Sequence, residues 1–284
     1  MRSRTARPRG DPAPVAPLGL HTRRVPSRFL DHPRPLAFAH RGGAGHFPEN
    51  SFKAFEHAVG LGYAYLETDV HATADGTVVA FHDKTLDRVT DSAGAIAELT
   101  AAQVAAARIA GSEPIPLLAD LLMTWPEHRF NIDVKDEPVI GPLVDLLKAT
   151  NSWDRVCITS FSGRRLNATR RLLPQPVCMA TPPAAVGAIS AGTPARVLAE
   201  RFARLSIQCA QVPQQVATRQ FIRRAHAAGL QVHVWTVNDA TSMASLLDLG
   251  ADGIMTDQTE ALRDVLIARG QWHPMRGSWL ANPD

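Results

Sequence analysis

The stretch from Leu36 to Val70, "LAFAHRGGAGHFPENSFKAFEHAVGLGYAYLETDV", holds the pattern on which the fold turns. "LAFAH" (36–40) and "AYLETDV" (64–70) are short apolar runs that read as strands. Between them, "SFKAFEHAVGLG" carries its apolar residues at helical spacing, and Asn50 or Ser51 stands where a helix cap belongs.

The same rhythm continues to residue 268. Strand candidates recur at 130–135 ("FNIDVK"), 155–161 ("RVCITSF"), 176–180 ("PVCMA"), 205–210 ("LSIQCA"), 231–237 ("QVHVWTV") and 252–257 ("DGIMTD"). Helical segments such as "PVIGPLVDLLKAT", "GRRLNATRRLL", "TRQFIRRAHAAGL" and "TSMASLLDLG" alternate with them. Roughly eight such units predict an α/β fold, a (β/α)8 TIM barrel, with a doubly wound open sheet as the alternative. The second unit breaks step. "DGTVVAFHD" reads as a turn and another strand, so residues 71–114 form a small insertion after the second strand. "TAAQVAAARIAGSEPIP" is expected to add a short helix and a loop over the barrel mouth. The expected organisation is an extended tail (1–34), a barrel (35–270) and a C-terminal tail (271–284).

A composition of 45% hydrophobic and 20% charged residues suits a globular enzyme, not a disordered chain. Much of the arginine behind the net charge of +3 lies in the first thirty or so residues, where prolines deny it an apolar face. That tail is expected to be solvated, with no nucleic-acid partner. No run approaches a transmembrane segment, and the early prolines interrupt any signal-peptide core, so the expected location is cytoplasmic. Cys157, Cys178 and Cys209, far apart in sequence and set in apolar runs, are expected to be small core residues rather than disulfide or metal partners.

Polar residues collect at the carboxyl ends of these strands, where an α/β barrel carries its site. Glu67 and Asp69 share one face of their strand, and Asp133 and Lys135 share one face of the next long one. Three carboxylates would suit a hard divalent cation, Mg²⁺ or Ca²⁺. The alternative is a buried ion network in which Lys135 or Arg41 pairs with Asp69 and Asp133. His40 and His82 each end an apolar strand, and imidazole can both take and give a proton near neutrality. Arg41 offers a fork of donors for phosphate oxygens, Gly42 and Gly43 would admit a close phosphate, and Glu49 would orient Arg41 or a metal-bound water.

These motifs, in this order, resemble the glycerophosphodiester phosphodiesterase family: "AFAHRGGAGHFPENS", "LETDV", "DGTVVAFHD", "NIDVK", "VWTVN" and "GADGIMTD". The resemblance spans roughly residues 36 to 268. It implies metal-dependent hydrolysis of glycerophosphodiesters to sn-glycerol 3-phosphate and an alcohol, with His40 and His82 as the acid/base pair. Glu67, Asp69 and Asp133 would bind one divalent ion, Arg41 and Lys135 would contact phosphate, Glu49 would stand close by, and Trp235 would wall the alcohol side. His233, on the face of Trp235, is given no catalytic role. Asp133 departs from the family's more usual Glu, and the resulting Glu, Asp, Asp set also resembles the sphingomyelinase D group. A lysophospholipase D acting on longer lipids is the alternative, and residues 95–118 discriminate: an open apolar groove there would favour lipids, a closed lid deacylated headgroups.

Overall fold

The computed structural model describes residues 27–174 and 176–275. Its first elements are β1 (Leu36–Ala39), α1 (Phe52–Leu61), β2 (Tyr65–Ala72), β3 (Val78–Ala80), α2 (Ala101–Ala106), β4 (Arg108–Ile109), β5 (Glu113–Pro114) and α3 (Leu118–Thr124). The middle of the chain forms β6 (Arg129–Val134), α4 (Ile140–Ala149), β7 (Val156–Thr159), α5 (Gly163–Leu172), β8 (Cys178–Ala180), α6 (Pro183–Ser190) and α7 (Ala195–Arg204). The last elements are β9 (Ile207–Pro213), α8 (Arg219–Ala227), β10 (Gln231–Trp235), α9 (Ala240–Leu249), β11 (Gly253–Thr256) and α10 (Thr259–Ala268).

Eight parallel strands close into a barrel in the order β1, β2, β6, β7, β8, β9, β10, β11, and β11 pairs back onto β1. All eight sequence-predicted strands are present. Alternation along each strand sorts the core into two layers. Leu66, Phe130, Ile132, Ile158, Val232 and Ile254 face the helices, whereas Phe38, Tyr65, Cys157, Cys178, Cys209 and Met255 fill the barrel. Glu67 and Asp69 sit on the inward face, two and four residues beyond the floor residue Tyr65, and Asp133 stands on the neighbouring strand in register with Asp69.

Ser51 caps α1, accepting from the Ala54 amide at 3.2 Å. Asn50 does not. Its backbone is left-handed (φ 56°), and its side chain instead donates to Asp69 at 3.2 Å and accepts from Thr68 at 2.8 Å. Thus the "PENS" turn fastens the site to β2 as well as starting a helix.

Three boundary expectations change. Residues 27–34 are not an extended tail: Phe29 is fully buried against Tyr65, whose hydroxyl donates to the Phe29 carbonyl at 2.6 Å, and the chain plugs the barrel floor. Residues 1–26 lie outside the described residues. The C-terminal segment also docks at first, Trp272 stacking edge-on against Tyr63 at 5.2 Å. Finally, the alanine-rich segment expected over the barrel mouth does not line it. Val104, Ala107, Ile109 and Ile115 turn into a satellite core with Val79, Phe81, Leu86 and Ile96, because burying these apolar groups on each other removes them from water. No helix among the described residues is long and apolar enough to cross a membrane.

Candidate active site

At the carboxyl end of the barrel lies a cavity of about 450 Å³, lined by His40, Arg41, Glu67, Asp69, His82, Asp133, Lys135 and Trp235 among others. Every predicted site residue except Glu49 lines it. The strand ends converge there because closure of the sheet brings β1, β2, β6 and β10 around one axis, and the hairpin of β2 with antiparallel β3 returns His82 to the same rim.

His40 Nδ1 lies 2.7 Å from Asp257 Oδ1, and its Nε2 faces Glu67 Oε2 at 3.9 Å. Burial works against its charge, yet Glu67 and Asp257 outweigh burial and hold its pKa above the ordinary imidazole value. Asp257 is in turn held by the Asn238 amide at 2.8 Å. On the opposite side, His82 Nδ1 meets Asp83 Oδ1 at 2.6 Å. The Arg88 guanidinium beside Asp83 pulls that carboxyl down to about 2.

Lys135 Nζ bridges Asp69 and Asp133, 2.8 Å from an oxygen of each. The two aspartates respond differently. Burial opposes the charge of Asp69, but Lys135 and Arg41 hold its pKa below the usual carboxylate value; burial dominates at Asp133 and raises it. Glu67, buried and close to Asp69, is pushed up to about 7. Its Oε2 accepts the Arg41 amide at 2.9 Å. The Arg41 side chain donates to Glu49 at 3.0 Å; its Nε is 3.3 Å from Asp69 Oδ2 but not aligned for a hydrogen bond. Glu49 is also gripped by Arg88, at 2.6 Å, so it anchors two guanidinium groups beside the cavity.

The ion network anticipated as one alternative is therefore present. The donors also fit a hard cation: they are all oxygen, Asp133 Oδ1 is buried without a hydrogen-bond partner, and the carboxylates Glu67, Asp69 and Asp133 outnumber the cations Arg41 and Lys135 beside them.

The glycine pair has a different task from the one expected. Neither glycine lines the cavity. Both have positive φ, a Cβ on Gly42 would stand 2.9 Å from the Phe55 amide nitrogen, and one on Gly43 would stand 2.6 Å from Thr259 Cγ2. They let the loop pack onto α1 and α10. The apolar wall likewise comes from elsewhere than residues 95–118. Trp235, Phe161, Pro183 and Val186 form it, with Phe161 edge-on to Trp235 at 5.4 Å.

Sequence reasoning passed over Asp257, Asn238, Asp83, Arg88 and Phe161. Asp257 had a legible signal, since it closes a barrel strand as His40 does. Arg88 had none, because only the folded insertion brings it back to Glu49.

A closed parallel barrel whose mouth sets two carboxylate-paired histidines around a cluster of acids and fixed cations is suited to acid/base chemistry on a phosphate ester. Residues 40–261 match the glycerophosphoryl diester phosphodiesterase family, and the chain belongs to that family of phosphoric diester hydrolases. A Mycobacterium tuberculosis protein named "Probable glycerophosphodiester phosphodiesterase 2" is 42% identical over 254 residues, covering 86% of this chain and 95% of that protein. A human lysophospholipase D is 28% identical over 291 residues, covering 88% and 90%. An Oleispira antarctica phosphodiesterase, solved in complex with the product sn-glycerol-3-phosphate, shares the fold, with a TM-score of 0.71 at 24% identity over 82% of this chain and 97% of that one.

Proposed function

We propose that this enzyme hydrolyses glycerophosphodiesters to sn-glycerol 3-phosphate and an alcohol, with His40 and His82 as general acid and base and one divalent cation, Mg²⁺ or Ca²⁺. The observation that carries the reading is that the two histidines, from different elements, line one cavity with Glu67, Asp69, Asp133 and Lys135. Glu67, Asp69 and Asp133 would hold the ion, which when bound neutralises phosphate charge and lowers the pKa of a substrate hydroxyl.

Arg41 and Lys135 bind phosphate oxygens and orient the phosphorus. One histidine takes the proton of the glycerol hydroxyl next to the ester, whose oxygen attacks phosphorus and forms a cyclic phosphate. The other histidine gives its proton to the departing alcohol oxygen as that P–O bond breaks. The roles then reverse: water adds to phosphorus, loses a proton to one imidazole, and the ring oxygen takes a proton from the other. Asp257 and Asp83 fix the rings for both steps.

Release of glycerol 3-phosphate from glycerophosphocholine and glycerophosphoethanolamine, with Mg²⁺, Ca²⁺ or EDTA, tests the reading. Turnover should require the ion, and His40→Ala and His82→Ala should each cost roughly 10²- to 10⁴-fold. Metal-independent turnover, or full activity in either variant, refutes it. A second reading, action on lysophospholipids, is favoured by the apolar wall: Phe161 is 61% exposed at the cavity edge. A higher kcat/KM on lysophosphatidylcholine than on the water-soluble diesters would select it.

A further inference from the structure

Beneath the cavity, nearer the amino ends of the strands, Cys157 on β7, Cys178 on β8 and Cys209 on β9 turn into the barrel and are fully buried. Their sulfurs all lie within 4.8 Å of one another, and Cys157 Sγ is 3.8 Å from Cys209 Sγ. Phe29, Phe38 and Tyr65 belong to the same apolar cluster. Asn131 and Gln211 exchange amide hydrogen bonds of 3.3 and 2.7 Å across the barrel, two residues further along the strands than Cys209 and beside Cys157 in register.

A second observation stands beside this cluster. His233 on β10, also fully buried, stands against Cys209. Its Nε2 is 3.2 Å from Gln231 Oε1, whereas its Nδ1 has no hydrogen-bond partner. An imidazole whose one nitrogen is held by a carbonyl oxygen while the other is left for a ligand is the arrangement that metal-binding histidines use.

We propose that Cys157, Cys178, Cys209 and His233 form a second, structural metal site for a soft thiophilic cation of the Zn²⁺ class, enclosed within the barrel. Three thiolates and one imidazole are a closed four-ligand set for that ion. With metal–sulfur bonds of about 2.3 Å, tetrahedral sulfurs stand about 3.8 Å apart. The Cys157 to Cys209 separation already equals that, and shifts of an ångström or less bring in Cys178; His233, which does not lie within 4.8 Å of all three sulfurs, must move further to complete the set. Loading exchanges the thiol protons, released to solvent, for the ion. Oxygen donors at the mouth select a hard cation and sulfur donors below select a soft one, so the two sites do not compete. A disulfide is the rival only between neighbouring strands. Cys157 and Cys209 are two strands apart, roughly 9–10 Å between backbones, beyond the roughly 7 Å a disulfide spans.

The test is X-ray absorption at the zinc edge on the full chain produced in zinc-supplemented medium and treated with EDTA, with metal content measured in parallel. The expected result is about one retained zinc per chain with sulfur scatterers at about 2.3 Å, lost or reduced to partial occupancy in Cys209→Ser and in Cys178→Val. If a variant does not fold, the absorption spectrum of the unsubstituted chain decides alone. Zinc surrounded only by oxygen and nitrogen, a folded chain that retains no zinc, or a Cys157–Cys178 or Cys178–Cys209 disulfide in the unreduced protein would each overturn the proposal. The outcome is independent of which phosphodiester the enzyme cleaves.

Discussion

Asp257→Asn isolates the support of His40 without touching the ring. The native contact is 2.7 Å long, and the two side chains are only 17% and 24% exposed, so solvent screens it weakly. A hydrogen bond to a charged group contributes about 1.5–3 kcal/mol, which corresponds to roughly tenfold to a hundredfold in rate. Asparagine keeps the shape but offers one acceptor oxygen where the carboxylate offers two, so either His40 or the Asn238 amide loses its acceptor, and of the charges that raise His40 only Glu67 remains. We expect kcat/KM for glycerophosphoethanolamine to fall by about that factor, and the limb of the pH profile that belongs to His40 to move to lower pH. Both are read from glycerol 3-phosphate release between pH 5 and 9, with thermal unfolding as a control for the fold. A variant with wild-type kcat/KM and an unmoved profile would refute the assignment of Asp257 as the residue that positions His40.

Lys135→Met leaves Asp69 and Asp133, both nearly inaccessible, without the cation between them. Breaking such a buried bridge costs about 3–5 kcal/mol, so the urea midpoint of the metal-free protein should drop markedly, and an unchanged midpoint would deny the bridge any role. In EDTA, the folded-state pKa of Glu67 is raised to about 7, from an ordinary 4.5, by burial and then by Asp69. A raised carboxyl contributes stability that is complete below pH 4.5 and lost as pH rises through 7. The thermal midpoint should therefore decline from pH 5 to 8, with His40, also raised, adding to the decline, and Glu67→Gln should flatten it. Phe161→Asp places a charge on the apolar wall and should lower kcat/KM on lysophosphatidylcholine about tenfold, or about 1.4 kcal/mol, while glycerophosphocholine changes less. Equal losses on both substrates would argue that Phe161 serves the shared headgroup.

The barrel and most of its mouth were legible in the sequence because both depend on short-range periodicity. An alternating run bounded by a turn declares a strand, and a polar residue at the end of an apolar strand declares a place on the rim. His40, Glu67, Asp69, Asp133 and Lys135 follow from that rule, whereas Trp235 was placed only by the family resemblance, and the hairpin after β2 was readable from "ADG" and the run that follows it. Residues whose neighbours are distant in sequence were not legible. Phe29 reads as part of a proline-rich tail until Tyr65 is brought over it, and the alanine-rich segment after residue 100 reads as a cover until Val104 and Ile109 find a core of their own.

The sequence by itself therefore determined which residue types stand at each strand end, since strand geometry assigns every second side chain to one face. Closure of the barrel decided the rest. It set Asp257 beside His40 across 217 residues, placed Lys135 between two carboxylates, and gathered the sulfurs of three cysteines separated by up to 52 residues within 4.8 Å of one another. The physical reason is that pKa values and ligand sets depend on distances of a few ångströms through a low-dielectric interior, and only the folded chain supplies those distances.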